Sequence, residues 1–120
     1  MIAVGADIVN LPRFARALER WGERLTRRLF TQGELARAEG AHRTRELAGD
    51  FAAKEAFLKA LGTGLAAGIR WQDVEVIRDE LGAPSYSLSG KAAEIFRGET
   101  ALSLSHDGDY AIAVCVLEEK

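Results

Sequence analysis

The chain has 120 residues, with 16 Lys and Arg against 18 Asp and Glu, a formal net charge of −2, and 48% hydrophobic content. That size suits one domain spanning residues 1–120 with a single core, the charge argues against general nucleic-acid binding, and no apolar run approaches the ~18–20 residues that cross a bilayer. A single cysteine, Cys115, excludes an internal disulfide, and Met1–Asp7 lacks the basic flank and long apolar region of a signal peptide, so the expected setting is reducing and cytoplasmic, with no membrane partner.

Ile2 to Val9 is a short apolar run with β-branched residues and reads as a buried strand, interrupted by Asp7. A carboxylate there is either a strand-end cap or a ligand for something positive. Asn10-Leu11-Pro12 opens a helix, with Asn10 as cap and Pro12 in the first turn. One side of this helix carries Phe14, Leu18, Trp21, Leu25 and Leu29. Another carries Arg13, Arg16, Arg20, Arg24 and Arg27. From Arg13 to Arg28 six arginines face two glutamates, a local excess of four positive charges. A solvated charged face is the bland explanation, but surface helices usually mix signs, and a one-sign stripe suits docking to an acidic surface. Gly22 is placed to bend or split the helix.

Thr31-Gln32-Gly33-Glu34 has capping-box form and starts a short helix to about Glu39, ended by Gly40. A loop with His42, Arg43 and Arg45 leads into a long helix from about Thr44 to Leu61. Leu47, Phe51, Leu58 and Leu61 form its bulky stripe, and Ala52, Ala53, Ala56 and Ala60 its thin opposite face. A helix apolar on both sides is central. Lys54 points near the middle of the bulky stripe, while Glu55 and Lys59 lie on its flank, where the simplest expectation is an i,i+4 ion pair. Gly62-Thr63-Gly64 with Gly68 is superficially similar to a dinucleotide loop. It follows a helix instead of opening one, so Gly62 is expected as a C-cap.

Val74–Ile77 and Ser85–Leu88 read as strands joined by the turn-rich Asp79–Pro84, with Ser89 capping a short helix, Gly90 to Phe96. Ala101–His106 and Tyr110–Leu117 are two further strands around the tight turn Asp107-Gly108-Asp109. The order predicts one α+β domain, an antiparallel sheet packed against a long central helix.

Gly5-Ala-Asp7-Ile-Val-Asn-Leu-Pro-Arg13-Phe14, Phe51-Ala-Ala-Lys54-Glu55-Ala-Phe57-Leu-Lys59-Ala-Leu-Gly62-Thr-Gly64 and Leu104-Ser105-His106-Asp107, in that order, closely resemble holo-acyl-carrier-protein synthase, the short bacterial type of 4′-phosphopantetheinyl transferase. The resemblance covers nearly the whole chain. It implies transfer of phosphopantetheine from coenzyme A to a serine of apo acyl carrier protein, in fatty-acid or polyketide synthesis. It further implies Mg2+ on Asp7 and Glu55, coenzyme A phosphates on Lys59, Lys54, Arg45 and His106, and a cofactor-lining turn at Gly62 and Gly64. The carrier-docking helix corresponds to Arg13 to Arg28, with Arg16, Arg20 and Arg24 in its stripe, and members of this type form trimers with sites between subunits. Asp7, Glu55 and Lys59 are then the catalytic set, with Glu55 as base directly or through a metal-bound water.

One position departs from the resemblance: Asp50 stands where a basic residue is usual, so weaker binding or a shifted partner preference is expected, relieved by Asp50→Arg. A different class of function is a coenzyme A or carrier-binding module without catalysis, but such a module has little use for two semi-buried acids. A generic docking domain using only the arginine helix leaves the middle motif unexplained.

Overall fold

A computed structural model describes residues 1–120. The order is β1 (Ile2–Asn10), α1 (Leu11–Leu29), α2 (Gln32–Arg37), α3 (Arg43–Leu61), β2 (Val74–Arg78), β3 (Pro84–Leu88), α4 (Gly90–Ile95), β4 (Gly98–Asp107) and β5 (Tyr110–Glu119). The predicted α+β class holds, and α3 is central. The strands form two antiparallel sheets: a three-stranded β1-β5-β4 sheet and a separate β2-β3 hairpin. No helix is long and apolar enough to cross a membrane.

The two-faced composition of α3 explains its position. Ala52, Ala53 and Ala56 are wholly buried, as are Leu47 and Phe57, so both faces are covered. The thin face lets β1 approach closely. A Cβ on Gly5 would collide with the Ala56 carbonyl and lie 2.6 Å from the Ala60 nitrogen. Gly5→Ala is therefore expected to cost about 1–3 kcal/mol, because the obstruction is backbone and cannot rotate away. A lower urea midpoint with unchanged slope is the check.

Sheet alternation places Val9, Ala111, Ala113, Cys115 and Leu117 in the core and leaves the other face bare. Asn10 caps α1, its side-chain oxygen accepting from the Arg13 N–H at 2.9 Å. Gly22 splits α1: its φ of 53° and ψ of −135° are not helical. The break leaves Trp21 47% exposed, so the expected stripe loses its aromatic at that point. The Thr31–Glu34 capping box forms, although α2 ends at Arg37, two residues early. Ser89 precedes α4 without a side-chain capping bond, contrary to expectation. The 3-10 turns at Gly64–Ala67 and Trp71–Asp73 have no periodic signal in the sequence.

Candidate active site

Asp7 leaves β1 with its side chain 14% exposed, and Lys59 Nζ lies 2.8 Å from Asp7 Oδ1 and 3.3 Å from the Ala6 carbonyl. The expected Glu55–Lys59 pair does not form. Lys59 reaches across to the strand, and its bond to Asp7 holds the ammonium pKa above its ordinary value. Glu55 has no such partner. Burial, then the nearby Asp7 carboxylate, push its pKa up against a smaller opposing effect of Lys59. Two acids with one cation between them leave excess negative charge in a partly dry place.

That charge stands between two clefts. One, of about 580 Å³, is lined by Glu55, Leu58, Lys59, Gly62–Leu65 and Trp71. The other, of about 320 Å³, includes Asp7, Arg13, Phe14, Ala17, Phe51 and Glu55. Glu55 belongs to both. Gly62 caps α3 as expected, in left-handed conformation at φ 85°, its N–H donating to the Leu58 carbonyl. Gly64, at φ 58°, continues the turn. The second cleft opens beneath α1, where Arg13, Arg16, Arg20 and Arg24 are exposed and, among the six arginines, only Arg27 is ion-paired, to Glu23 at 3.1 Å.

Lys54, expected at a phosphate, is a core residue. Its side chain is 0% exposed, its Nζ lies 2.7 Å from Glu34 Oε1 and donates to the Trp71 carbonyl at 3.1 Å. Burial presses its pKa down, and Glu34 opposes that. Glu34 completes the arrangement by accepting from the Thr31 and Val76 N–H groups. Nothing in the cleft can reach Lys54, so the resemblance misassigns it as a phosphate contact. The Thr31–Glu34 spacing revealed the cap, but not that the same carboxylate answers Lys54.

Asp50 is likewise internal. It is 0% exposed, with Arg37 Nη2 at 3.2 Å from Oδ2 and Arg78 Nη2 at 3.9 Å from Oδ1. It faces neither cleft, so the expected effect on substrate binding has no structural basis. Two arginines from α2 and β2 balance it instead. Arg45 and His106 are exposed but stand apart from Glu55. Arg45 is ten positions earlier on α3, about 15 Å along the axis, while the His106 ring lies against Gly49 and line neither cleft. One chain does not bring them to Lys59.

Asp7 and Glu55 suit a hard divalent cation that takes one or two protein carboxylates and fills its remaining positions with water and phosphate oxygens. No group of three or more histidine, cysteine or acidic side chains gathers in the chain.

A family model described as the 4′-phosphopantetheinyl transferase superfamily matches residues 3–115. A holo-[acyl-carrier-protein] synthase of Geobacter metallireducens is 49% identical, covering 98% of this chain and 98% of its own. One from Syntrophotalea carbinolica is 50% identical over 96% and 94%. Among solved structures, the Neisseria meningitidis holo-[acyl-carrier-protein] synthase is similar at TM-score 0.88 and 32% identity, covering 99% of this chain and 100% of that one. An ACPS–CoA complex from Chronobacterium ammoniagenes has a TM-score of 0.87 at 36% identity, covering 100% and 98%.

Proposed function

The chain belongs to the 4′-phosphopantetheinyl transferase superfamily, and on that premise we propose that it moves 4′-phosphopantetheine from coenzyme A to a serine of an acidic apo acyl carrier protein. The observation that carries the reading is Glu55 between two clefts, with Asp7 and Lys59 beside it and Arg13, the first of the unpaired arginines of α1, lining one of them. The clefts divide the reactants. Lys59 and the Gly62–Gly64 turn receive the donor, and the arginine stripe receives the acidic carrier through charge-assisted contacts.

Phosphoryl transfer depends on positioning and charge neutralisation more than on covalent help. The serine oxygen bonds to the pantetheine-bearing phosphorus, and that phosphorus parts from the bridging oxygen, which leaves on adenosine 3′,5′-bisphosphate. Glu55 takes the serine proton, directly or through a water. Lys59 steadies the leaving oxyanion. Asp7 and Glu55 would hold Mg2+, which supplies further positive charge to the diphosphate. The test is carrier-dependent release of adenosine 3′,5′-bisphosphate from coenzyme A, followed by chromatography. Release without carrier, or none with any acidic apo carrier, removes the assignment.

The chain is also proposed to act as a homotrimer, with Arg45 and His106 serving a neighbouring copy's donor. The support is the bare face of the three-stranded sheet, where Ile2, Val4, Ile8, Tyr110, Ile112 and Val114 are 37–64% exposed, an apolar patch that self-association would cover. Light scattering should give three times the chain mass, and Ile112→Glu should give a folded monomer with transfer lowered at least about tenfold, as expected of a site deprived of phosphate contacts. A fully active monomer contradicts the shared site. The carrier serves fatty-acid or polyketide synthesis in the cytoplasm, a setting that the free, buried Cys115 thiol suits.

A further inference from the structure

The donor cleft has one aromatic wall, Trp71. The rest of its lining divides by chemistry into charged, hydroxyl or bare-backbone groups (Glu55, Lys59, Gly62, Thr63, Gly64) and aliphatic side chains, Leu58 and Leu65. Trp71 packs against the core but is only partly buried, which leaves part of it to the cleft.

Its position is nevertheless fixed from several sides. The buried Lys54 ammonium donates to its carbonyl at 3.1 Å, and Lys54 is itself held by Glu34 at 2.7 Å. The neighbouring Gln72 amide donates to the carbonyls of Arg27 and, at 2.9 Å, Arg28, tying the 3-10 turn to the end of α1. The Asp73 carbonyl accepts from the Ser89 N–H at 2.9 Å. The indole rests on Phe51 with centroids 5.3 Å apart, and Phe51 stacks on Phe14 at 5.7 Å. A partly exposed indole held this firmly is a preorganised surface, which loses little freedom when a ligand covers it.

Coenzyme A has two unlike parts, a polyanionic nucleotide and an uncharged arm of methylenes, methyls and amides. Lys59 suits the first part and has nothing to offer the second. Leu58 and Leu65 suit only the second, and Trp71 shares their cleft; an indole can also stack on the adenine, an outcome that the two probes below separate. We propose that Trp71 is a donor-specificity residue, its indole packing on the uncharged arm and so setting the diphosphate beside Glu55 and Lys59. This inference rests on the transferase reading above.

Calorimetric titration with two probes separates the parts: coenzyme A, and adenosine 3′,5′-bisphosphate, which lacks the arm. Trp71→Ala should raise the Kd of coenzyme A about tenfold, as expected for losing most of an aromatic contact, and that of the bisphosphate less than about twofold. Equal losses for both probes, the sign of stacking on the adenine or of a merely structural role, overturn the proposal, as does an unchanged coenzyme A affinity. Should Trp71→Ala not fold, Trp71→Leu decides: the ratio of the two affinities should fall roughly threefold, and an unchanged ratio overturns it. A wild-type chain that binds neither probe is a different failure, removing the transferase reading itself.

Discussion

Asp50→Arg will destabilise the chain by about 3–5 kcal/mol instead of improving its affinity for either substrate. The position is fully buried, and its carboxylate is the only acid that Arg37 and Arg78 reach within ion-pair distance. An arginine there sets three guanidiniums together, two of which already have a buried Nε without a hydrogen-bond partner. Chemical denaturation measures the loss. A variant as stable as the parent, with tighter Michaelis constants, would restore the substrate-facing role.

The same site gives a pH dependence with a definite sign. Burial outweighs the attraction of Arg37 and raises the Asp50 pKa from 3.8 to about 7, and Oδ1 has no hydrogen bond to offset it. Between those values the folded chain holds a proton that the unfolded chain has released. The contribution is therefore fully present below about pH 4 and is lost as the pH rises through about 7. Asp50→Asn, which cannot titrate, should flatten the fall in stability between those limits relative to the parent.

Glu55→Gln should lower kcat about 10³-fold or more while leaving the fold intact or slightly firmer. The substitution keeps the shape and removes a half-buried charge that Asp7 repels, so stability is not lost with activity. In the metal-free chain Glu55 should titrate above the ordinary glutamate range because burial and Asp7 raise it, and added Mg2+ should bring that midpoint down. Retention of activity by Glu55→Gln would remove Glu55 from the reaction. A large loss of thermal stability in the same variant would recast it as structural.

Local signals in the sequence carried much of this architecture. The alanine face of α3, the Asn10 cap, the Thr31–Glu34 box and the left-handed Gly62 are set by neighbours in the chain, and each stands where expected. Asp7 and Lys59 were legible as functional types but not as partners, because the 2.8 Å bond joins residues 52 positions apart. The burial of Lys54 and Asp50 is hidden in the sequence for the same reason. Their partners, Glu34 for one and Arg37 and Arg78 for the other, lie on elements whose packing no local period specifies. Trp71 has no local signature, because a three-residue 3-10 turn has no repeating pattern.

The most direct measurement is the intact mass of a purified apo acyl carrier protein after incubation with the chain, coenzyme A and Mg2+. The account predicts a gain of one phosphopantetheine on the carrier serine. The gain should be absent when that serine is alanine and absent with Asp7→Ala or Glu55→Ala. An unchanged carrier mass with the wild-type chain, or full modification by both acid-deleted variants, would contradict it.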